Sequence, residues 1–511
     1  MRPRGAIVLI GFMGAGKTTA ALQLAAERAL RAVDADQLIE ERAGLPIAEI
    51  FERDGEAAFR ALEEQVVCEL LERSASGDVV SLSGGAVTSE RIRAALAKHI
   101  VVWLEVSPEL AWRRVGGGDR PLAVDRTDFG ERHDARLPLY SAAADAFIPA
   151  SVVRSSIGRV HDAVAALRHA PAGTRLVWAL SASGEYPVYV GRGLIGSALW
   201  PIDSPSRRFC VTDRNVAGLW LEAAGPFEHS LVVEAGEPSK TLATAEEVWS
   251  GLASAGMTRG DHLAALGGGV VGDLAGFCAA TYQRGVPVVQ VPTTLAAQVD
   301  SAYGGKTGVD IAAGKNYVGA YHQPAGVIAD LATLETLPPA ELAAGYAEVI
   351  KTALVAGDSL WERIAADEPI DEDVILDCAR TKLAIVADDE RDGGRRQVLN
   401  LGHTVGHAIE TVTGYSRYRH GEAVALGLLA ALEMSGKVAL REQVAELLRV
   451  HGLPTHADGV DAVAVAQATR RDKKRLGDSV PFVLVDAPGS VRHGASVSDA
   501  ELDAALKALC R

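Results

Sequence analysis

A nine-residue segment near the amino terminus, Gly11–Thr19 (GFMGAGKTT), combines glycines with a lysine and two adjacent hydroxyls. It follows an apolar run, Ala6–Ile10, that is typical of a buried strand, and it opens a helical pattern. In that setting the glycines let backbone N–H groups turn towards phosphate oxygens. Lys17 brings a positive charge to the β- and γ-phosphates, and Thr18 offers a hydroxyl to Mg²⁺. The pattern predicts a nucleoside triphosphate site rather than a glycine-rich turn without a ligand.

A second group of reactive residues lies in the last third of the chain. His403 and His407 are four residues apart and therefore share one face of a predicted helix. His420 follows them, and Glu348 lies on another predicted helix. Two histidines, a carboxylate and one open position form a typical catalytic zinc site. Three histidines allow more than one choice of ligands, and an exposed pair of helical histidines would produce the same spacing.

A glycine-rich run, Gly267–Phe277 (GGGVVGDLAGF), separates an apolar segment from a helical pattern. Such a turn lets the pyrophosphate of a dinucleotide approach backbone N–H groups, although many tight turns look similar. Gly236–Lys240 (GEPSK) and Pro292–Thr294 (PTT) stand at the ends of two other predicted strands and favour the dinucleotide interpretation. Cationic residues beside apolar or glycine-rich motifs predict a cavity for a substrate with carboxylate and phosphate groups. They are Lys306, Lys315, Lys351, Lys382, Arg396, Lys473 and Lys474.

Alternating strands and helices must position these residues. Apolar runs such as Asp78–Ser83 and Ile100–Val106 alternate with helical stretches such as Ile47–Arg73, which predicts an α/β fold, a parallel sheet with helices on both faces. A second α/β pattern begins near Leu176. Helical patterns dominate after Pro339, among them Glu341–Thr352, Val398–Thr413 and Glu422–Ala439. We expect a P-loop kinase domain at residues 1–168, a linker at 169–175, a Rossmann-like α/β domain at 176–338 and a mostly helical domain at 339–511.

Composition and charge restrict the classes of function. The net charge of −15 argues against extensive nucleic-acid binding, yet local Lys and Arg residues can still hold small anions. Five scattered cysteines without a CxxC pair predict neither a disulfide framework nor a cysteine zinc site, and they fit a reducing cytoplasm. No stretch approaches the ~20 apolar residues of a membrane span. The short run Ala6–Ile10 indicates a strand rather than a signal peptide.

Residues 5–165 resemble shikimate kinase. Beside the phosphate loop, the resemblance rests on VDAD (Val33–Asp36), GEAAFR (Gly55–Arg60), SGGAV (Ser83–Val87), DRPL (Asp119–Leu122) and RLPLY (Arg136–Tyr140). It implies Lys17 and Asp34 as catalytic residues, with Thr18 and Asp34 near Mg²⁺. The implied ATP-binding residues are Gly14, Ala15, Gly16, Lys17, Thr18, Thr19 and Arg120. The implied shikimate-binding residues are Asp36, Arg60, Gly84, Gly85 and Arg136. A carboxylate-bearing polyol would itself require arginines for its acid group and aspartates for its hydroxyls.

Two features depart from that family's pattern. Ser83 stands where a glycine is usual, and the lid between Arg120 and Arg136 is slightly shortened and highly charged. We expect the first change to affect the affinity for shikimate and the second to affect lid closure. Neither removes a charged group that phosphoryl transfer needs.

Roughly residues 175–511 resemble 3-dehydroquinate synthase. The shared motifs are PTTLAAQVDSAYGGKTGVD (Pro292–Asp310), GKN (Gly314–Asn316), AEVIK (Ala347–Lys351), LNLGHTVGHAIE (Leu399–Glu410) and RDKK (Arg471–Lys474). The resemblance implies Zn²⁺ (or Co²⁺) held by Glu348, His403 and His420, with His407 beside the substrate phosphate assisting proton movement. The other implied catalytic residues are Lys306, Lys351, Lys382, Arg396 and Asn400, and the implied substrate-binding residues are Arg284, Asp300, Asn316, Lys473 and Lys474. The implied NAD-binding residues are Asp213, Glu237, Lys240, Gly268, Gly269, Asp273, Thr293, Thr294 and Lys315.

The two resemblances together imply a bifunctional enzyme of the shikimate pathway. One half would phosphorylate shikimate with ATP and Mg²⁺. The other would convert 3-deoxy-arabino-heptulosonate 7-phosphate to 3-dehydroquinate and phosphate, with NAD oxidising a ring hydroxyl and later returning the hydride. Arg284 would reach the phosphate from a partner subunit, which implies a homodimer. Tyr303 replaces a usually small aliphatic residue, and we expect it to alter packing at the pocket.

Two alternatives remain open at this level. In the first, the carboxyl-terminal half is a related sugar-phosphate cyclase with another substrate, although Lys382, Arg396 and Asn400 favour the carboxylate-bearing one. Alternatively, one half is catalytically dead and regulatory, although Lys17 and Glu348 are both present.

Overall fold

The computed structural model describes residues 5–116, 125–202, 205–312, 314–471 and 480–510. The chain divides into two compact units. The first comprises Met1–Trp178 and Ser197–Leu199, and the second comprises Ala179–Gly196 and Trp200–Arg511. The division falls just beyond the linker predicted at 169–175. The further boundary between residues 338 and 339 stays a prediction.

A parallel sheet forms the centre of the first unit. Its strand order is β2-β3-β1-β4-β5-β6, where the strands are β1 (Ile7–Ile10), β2 (Arg31–Asp34), β3 (Asp78–Ser81), β4 (Ile100–Glu105), β5 (Ala146–Pro149) and β6 (Arg175–Leu180). β1 and β3 are buried along their whole length, as expected for strands covered by helices on both faces. The carboxyl ends of parallel strands meet at one edge, and the phosphate loop leaves β1 at that edge.

The helices of the first unit are α1 (Lys17–Arg28), α2 (Ala35–Ala43), α3 (Ile47–Arg73), α4 (Glu90–Leu96), α5 (Pro108–Val115), α6 (Arg126–Asp134), α7 (Leu137–Ala143) and α8 (Ile157–Ala166). α3 is kinked at Gly55, whose φ is 80°. α8 forms in a stretch where the sequence shows no strong periodicity. It still buries Ile157, Val160 and Val164, which recur at helical spacing.

The second unit begins with six parallel strands in the order β7-β14-β11-β10-β8-β9. The strands are β7 (Glu185–Gly191), β8 (Arg208–Asp213), β9 (His229–Val233), β10 (His262–Gly267), β11 (Val288–Pro292), β12 (Lys306–Ile311), β13 (Gly314–Tyr321) and β14 (Gly326–Asp330). β12 and β13 form a separate antiparallel hairpin. The helices α9 (Arg214–Ala224), α10 (Leu242–Ser254) and α11 (Gly269–Thr281) accompany the sheet, and α11 packs into an apolar core with β10 and β8.

The rest of the second unit is mostly helical, as predicted. It contains α12 (Pro339–Ala356), α13 (Asp358–Ala365), α14 (Glu372–Asp388), α15 (His403–Val412), α16 (His420–Met434), α17 (Val438–Val450), α18 (Ala462–Arg470) and α19 (Asp499–Leu509), with a hairpin of β15 (Phe482–Ala487) and β16 (Ser490–Ala495). None of the helices in the described ranges is long and apolar enough to cross a membrane.

Two predicted helical stretches have different bounds. Val398–Thr413 is interrupted at Gly402, whose left-handed φ of 79° precedes the first turn of α15. That break lets the helix begin at His403. Glu422–Ala439 is divided between α16 and α17 by Gly436, which has a φ of 65°. Glycine adopts such angles without steric cost, so these breaks are local effects of sequence.

Candidate active sites

The phosphate loop lies between β1 and α1, where the sequence predicts it. Gly14 and Gly16 have left-handed φ values of 81° and 92°, which favour glycine. Lys17 is 8% exposed, and its Nζ donates to the carbonyl oxygens of Gly11 (2.8 Å) and Phe12 (3.2 Å). The Lys17 side chain therefore lies back against the phosphate loop.

Asp34 brings a carboxylate from the end of β2 to the start of α1. Thr18 Oγ1 donates to Asp34 Oδ2 at 2.6 Å, and Asp34 Oδ1 accepts the backbone N–H of Asp36 at 2.9 Å as the cap of α2. A hydroxyl and a carboxylate so close together offer the hard oxygen ligands that Mg²⁺ prefers. Ala15 is buried inside the loop and Thr19 is exposed on the first turn of α1.

Arg60 is held by a buried carboxylate that the sequence analysis missed. Its Nη1 lies 2.6 Å from Glu63 Oε2, and its Nη2 lies 3.0 Å from Glu56 Oε1. Glu63 is 1% exposed and also accepts a hydrogen bond from Ser83 Oγ. A Cβ at Gly85 would lie 2.1 Å from Arg60 Nη1, so the glycine makes room for the guanidinium. The spacing of three residues on α3 indicates the Arg60–Glu63 pair, whereas the contact with Ser83 is tertiary.

Arg136 approaches the same glycine loop from the start of α7. Its Nη1 donates to the carbonyl oxygen of Gly84 at 2.9 Å, and Tyr140 Oη donates to that oxygen at 2.5 Å. Arg136 is 5% exposed, and burial lowers the pKa of its guanidinium, with the nearby Arg60 acting in the same direction. Within the described ranges no carboxylate pairs with Arg136. The buried guanidinium is therefore suited to a carboxylate supplied by a ligand.

Arg114 is another residue that the sequence analysis did not single out. Its Nη1 donates to the carbonyl oxygen of Gly14 at 2.8 Å, which places a cation beside the phosphate loop. Arg120, the predicted lid arginine, lies outside the described residues.

Glu348, His403 and His420 meet in the second unit although three different helices carry them. Glu348 Oε1 lies 3.6 Å from Nε2 of His403 and 3.5 Å from Nε2 of His420. A tetrahedral ion with bonds of about 2.0–2.1 Å separates its ligands by about 3.4 Å, so this spacing fits a divalent cation. His407 belongs to the same cluster, because ring nitrogens of the three histidines lie within 4.8 Å of one another.

The ring nitrogens that face away from Glu348 have partners of their own. His403 Nδ1 lies 3.2 Å from the carbonyl oxygen of Leu401, and His420 Nδ1 lies 3.5 Å from Glu410 Oε1. Desolvation lowers the pKa of His403 to about 4, so its imidazole is neutral and can ligate a cation at neutral pH. Desolvation opposes charge on His420 as well, but Glu348 and Glu410 raise its pKa to about 10. Such contacts orient metal-binding imidazoles.

Asp300 gathers two buried lysines beside this cluster. It lies in the single π-helical turn Ala297–Ser301, and its Oδ1 is 3.0 Å from Nζ of both Lys351 and Lys382. Lys351 Nζ is also 2.7 Å from Glu348 Oε2, which joins the lysine pocket to the cation site. Burial opposes the charge of Lys351, yet the two carboxylates raise its pKa above the ordinary value. Burial lowers the pKa of Lys382 to about 8 despite Asp300.

Two further cations complete the pocket. Lys306 Nζ lies 2.6 Å from Asp392 Oδ2, a carboxylate that the sequence analysis missed. Arg396 is 1% exposed, and its Nη2 donates to the carbonyl oxygen of Gly304 at 2.9 Å. The buried Nε of Arg396 has no hydrogen-bond partner among the described residues, so the guanidinium retains capacity for an anionic ligand.

Asn400 and Tyr303 lie beside these groups. Asn400 Nδ2 donates to the carbonyl oxygen of Gln397 at 3.1 Å at the end of a 3₁₀ turn that leads towards α15. Tyr303 is 1% exposed, and its Oη donates to the carbonyl oxygen of Gln298 at 2.6 Å. The fold thus accommodates the unusual tyrosine as a core residue whose hydroxyl is satisfied.

The glycine run after β10 forms the amino terminus of α11. A Cβ at Gly268 would lie 2.9 Å from Thr294 Cγ2, and one at Gly269 would lie 2.9 Å from Ser301 Oγ, so larger residues would push these elements apart. The buried Oγ1 of Thr293 has no hydrogen-bond partner within the described ranges. A helix amino terminus with close backbone approach and an unsatisfied hydroxyl fits the pyrophosphate of a dinucleotide.

A series of ion pairs lies beside the amino terminus of α11. Lys240 Nζ lies 2.9 Å from Glu237 Oε1 and 3.3 Å from Asp273 Oδ2. Lys315, on β13, lies 3.5 Å from Glu237 Oε1 and 3.1 Å from Glu410 Oε1. Desolvation raises the pKa of Asp273 to about 6, with Lys240 opposing it. Ion pairs therefore connect four of the predicted NAD-binding residues, Glu237, Lys240, Asp273 and Lys315, beside the first turns of α11.

The remaining predicted residues are placed differently. Asp213 ends β8 and caps α9 through its Oδ1. Arg284 is exposed with a left-handed φ of 70°, and Asn316 is exposed with a φ of 52°. Lys473 and Lys474 lie outside the described residues.

These arrangements define a class of protein. The first unit has the loop, cation and oxygen ligands of a P-loop phosphotransferase with an arginine-lined acceptor pocket. The second has a helix amino terminus suited to a dinucleotide, a histidine–carboxylate cation site and a lysine-rich anion pocket. This combination is typical of a metal- and nicotinamide-dependent enzyme that acts on an anionic substrate.

Comparison with known proteins identifies both units. Residues 13–160 match the family model of shikimate kinase. Residues 230–344 and 345–475 match those of the 3-dehydroquinate synthase N-terminal and C-terminal domains. The chain belongs to the 3-dehydroquinate synthase family and carries a shikimate kinase domain ahead of it, which confirms both predicted resemblances.

Individual relatives agree with this assignment. The chain is 43% identical over 355 residues to 3-dehydroquinate synthase of Symbiobacterium thermophilum, covering 64% of this chain and 98% of that protein. It is 44% identical over 346 residues to the enzyme of the same name from Acidithiobacillus ferrooxidans, covering 63% and 95%. The solved 2-epi-5-epi-valiolone synthase of Streptomyces hygroscopicus subsp. jinggangensis, which has NAD⁺ and Zn²⁺ bound, is similar at 26% identity and a TM-score of 0.59, covering 65% of this chain and 99% of that one.

Proposed function

We propose that the first unit transfers the γ-phosphoryl group of ATP to shikimate. The second unit, in the same proposal, converts 3-deoxy-arabino-heptulosonate 7-phosphate to 3-dehydroquinate and phosphate, with NAD⁺ and a divalent cation as cofactors. The observation that carries the second assignment is the convergence of Glu348, His403 and His420 next to the Asp300–Lys351–Lys382 cluster.

In the kinase unit the residues position two anions. Lys17 and the loop N–H groups would hold the phosphates, while Thr18 and Asp34, which already contact each other, would hold Mg²⁺. Arg60 and Arg136 hold the carboxylate of shikimate, with Asp36 on its hydroxyls. Phosphoryl transfer needs alignment and charge neutralisation more than covalent help, so fixed arginines and a fixed P-loop supply the main contributions.

In the cyclase unit Glu348, His403 and His420 would hold Zn²⁺ or Co²⁺, and the cradle around Gly268 and Lys240 would hold NAD⁺. When bound, the dinucleotide supplies a reversible hydride acceptor and the cation polarises a ring oxygen of the substrate.

The chain's own residues bind and orient the substrate in that site. Lys382 and Arg396 would hold its carboxylate, and Lys306 and His407 would bind its phosphate. His407 would then assist proton transfer as that phosphate leaves, and Lys351 favours the ionised forms of Asp300 and Glu348.

Separate assays on the intact chain test the proposal. K17M should abolish ADP formation with shikimate and leave phosphate release from the seven-carbon acid unchanged. H403A should abolish phosphate release and leave ADP formation unchanged. The activity that each variant keeps shows that the other unit is folded. Dialysis against a chelator should abolish phosphate release until Zn²⁺ or Co²⁺ is returned, while the kinase reaction with added Mg²⁺ continues. A chelated, metal-free sample with full phosphate release would refute the cyclase assignment.

We also propose that the enzyme works as a homodimer, because the resemblance assigns Arg284 to the phosphate in a partner subunit's site and its side chain is exposed. Mixing R284A with H403A subunits tests this. Random exchange should restore about a quarter of the wild-type phosphate release, since half the dimers would then hold one complete site. No recovery on mixing would contradict the shared site.

A cytoplasmic location belongs to the same proposal, supported by five free cysteines, two of them only partly buried. A related cyclase of another specificity is the competing interpretation of the second unit. Lys382 and Arg396 argue for a carboxylate on the substrate. Assaying a sugar phosphate that lacks a carboxylate alongside the seven-carbon acid distinguishes the two.

A further inference from the structure

Glu410 is a buried carboxylate to which the proposed chemistry assigns no role. It lies on α15, seven residues after His403 and so on the same face two turns further along. It is 2% exposed. Its Oε1 lies 3.5 Å from His420 Nδ1 and 3.1 Å from Lys315 Nζ. Its Oε2 is buried without a hydrogen-bond partner among the residues that the structure describes, so the carboxylate has capacity for a further bond.

His420 stands between two carboxylates. Its Nε2 lies 3.5 Å from Glu348 Oε1 and its Nδ1 lies 3.5 Å from Glu410 Oε1. An imidazole that ligates a cation through one nitrogen usually donates the other N–H to a carboxylate or a carbonyl oxygen, which fixes the tautomer and the ring orientation. For His403 the second partner is the carbonyl oxygen of Leu401. Glu410 is the corresponding group for His420.

Lys315 determines where Glu410 can lie. The lysine is on β13, and its Nζ contacts both Glu410 Oε1 and Glu237 Oε1. Glu237 in turn contacts Lys240 at 2.9 Å. An unpaired carboxylate at this depth would be costly, so the ammonium both compensates Glu410 and holds it beside His420. Lys315 therefore links the β12–β13 hairpin, beside the proposed dinucleotide site, to the cation site.

We propose that Glu410 is a positioning residue that holds His420 in the tautomer presenting Nε2 to the divalent cation, and that Lys315 keeps Glu410 in place. The proposal rests on the proposed ligand role of His420. It adds a residue that does not touch substrate, cofactor or the ion itself.

Metal affinity measured on the full chain tests it. The dissociation constants of Zn²⁺ and Co²⁺ are determined by competition with a chromogenic chelator, and the visible spectrum of the Co²⁺ form is recorded. E410A should bind about 10–100-fold more weakly than wild type and change the Co²⁺ spectrum. E410Q keeps an acceptor oxygen but loses the charge, so its affinity for the ion should lie between those of wild type and E410A. K315M should weaken binding in the same direction. E446Q removes an exposed carboxylate of α17 in the same part of the chain and should change nothing.

The outcomes separate the two proposals. If H420A binds the ion like wild type, the ligand assignment in the proposed function fails. If binding depends on His420 but E410A and E410Q keep wild-type affinity and spectrum, the role of Glu410 is refuted while the ligand set stands. Should E410A fail to fold, as judged by circular dichroism, the isosteric E410Q decides.

Discussion

The protonation of Lys382 offers a sharp test of the anion pocket. The side chain is buried between Asp300, Lys351 and Arg396. Burial lowers its pKa from 10.5 to about 8, with Asp300 opposing and the other two cations reinforcing the change. This pKa difference corresponds to a free-energy cost of about 3 kcal/mol for charging Lys382 in the folded protein. An ordinary lysine stays charged throughout the range in which enzymes are assayed, whereas Lys382 loses its charge within that range.

We therefore expect kcat/KM for phosphate release to fall as pH rises through about 8, by up to tenfold per pH unit above it. Below that pH the ammonium is charged and holds the substrate carboxylate. The assay follows phosphate release between about pH 6.5 and about pH 9.5 with saturating NAD⁺ and metal, since kcat/KM reports groups of the free enzyme. In K382R the guanidinium stays charged, so the falling limb should disappear even where the rate is lower.

Folding stability provides an independent readout of the same group. The folded pKa of Lys382 is lower than its value in the unfolded chain. Between about 8 and 10.5 the unfolded chain therefore binds a proton that the folded chain lacks. Stability should rise with pH through that window, by an amount on the order of 3 kcal/mol at most, and K382M should remove this rise. A wild-type rate profile that stays flat to about pH 9.5, or a K382R profile with an unchanged falling limb, would refute the reasoning. E446Q serves as the control in both measurements.

Three further substitutions follow from individual contacts. G85A should raise KM for shikimate at least about tenfold and leave KM for ATP unchanged, because the new methyl group displaces Arg60; steady-state kinetics with each substrate varied will check it, and equal effects on both would contradict it. S83G should lower the free energy of unfolding by about 1–3 kcal/mol in urea titration, since Glu63 loses a hydroxyl donor, and an unchanged midpoint would show that the bond is immaterial. Y303F should lower the free energy of unfolding by about 1–2 kcal/mol through the donor lost to the carbonyl oxygen of Gln298, and an unchanged midpoint in the same titration would contradict this.

Local patterns explain why much of the first site could be predicted. The phosphate loop is continuous in sequence, and its strand and helix adjoin it, so Lys17 and Thr18 have their geometry fixed by neighbours. The Arg60–Glu63 pair is similarly visible in α3 at a spacing of three. Ser83 is different, because its partner Glu63 is 20 residues away and is reached only through the packing of α3 against the segment that follows β3.

The second site depends on tertiary structure to a greater degree. Asp300 meets Lys351 and Lys382 across 51 and 82 residues, and Lys306 meets Asp392 across 86. Periodicity carries no information about such distances. Glu410 nevertheless ends the segment GHTVGHAIE (402–410) and lies on the same face of α15 as His403. Helical spacing places it near the candidate ligands, but its partner His420 lies on α16, so only the packing of α15 against α16 brings the two together.

The charges around Asp300 explain why this pocket needs an anionic ligand. Lys351 and Lys382 are equally close to the same carboxylate oxygen, but Lys351 has a second carboxylate in Glu348, and the pKa of the two lysines moves in opposite directions. Asp300 is shared by both ammonium groups, whereas Glu348 contacts Lys351, so the charge of Lys382 is compensated only in part. Arg396, with backbone carbonyl oxygens as its partners, adds further unbalanced charge. Burying these cations destabilises the empty pocket, and a substrate that brings a carboxylate and a phosphate supplies the missing negative charge.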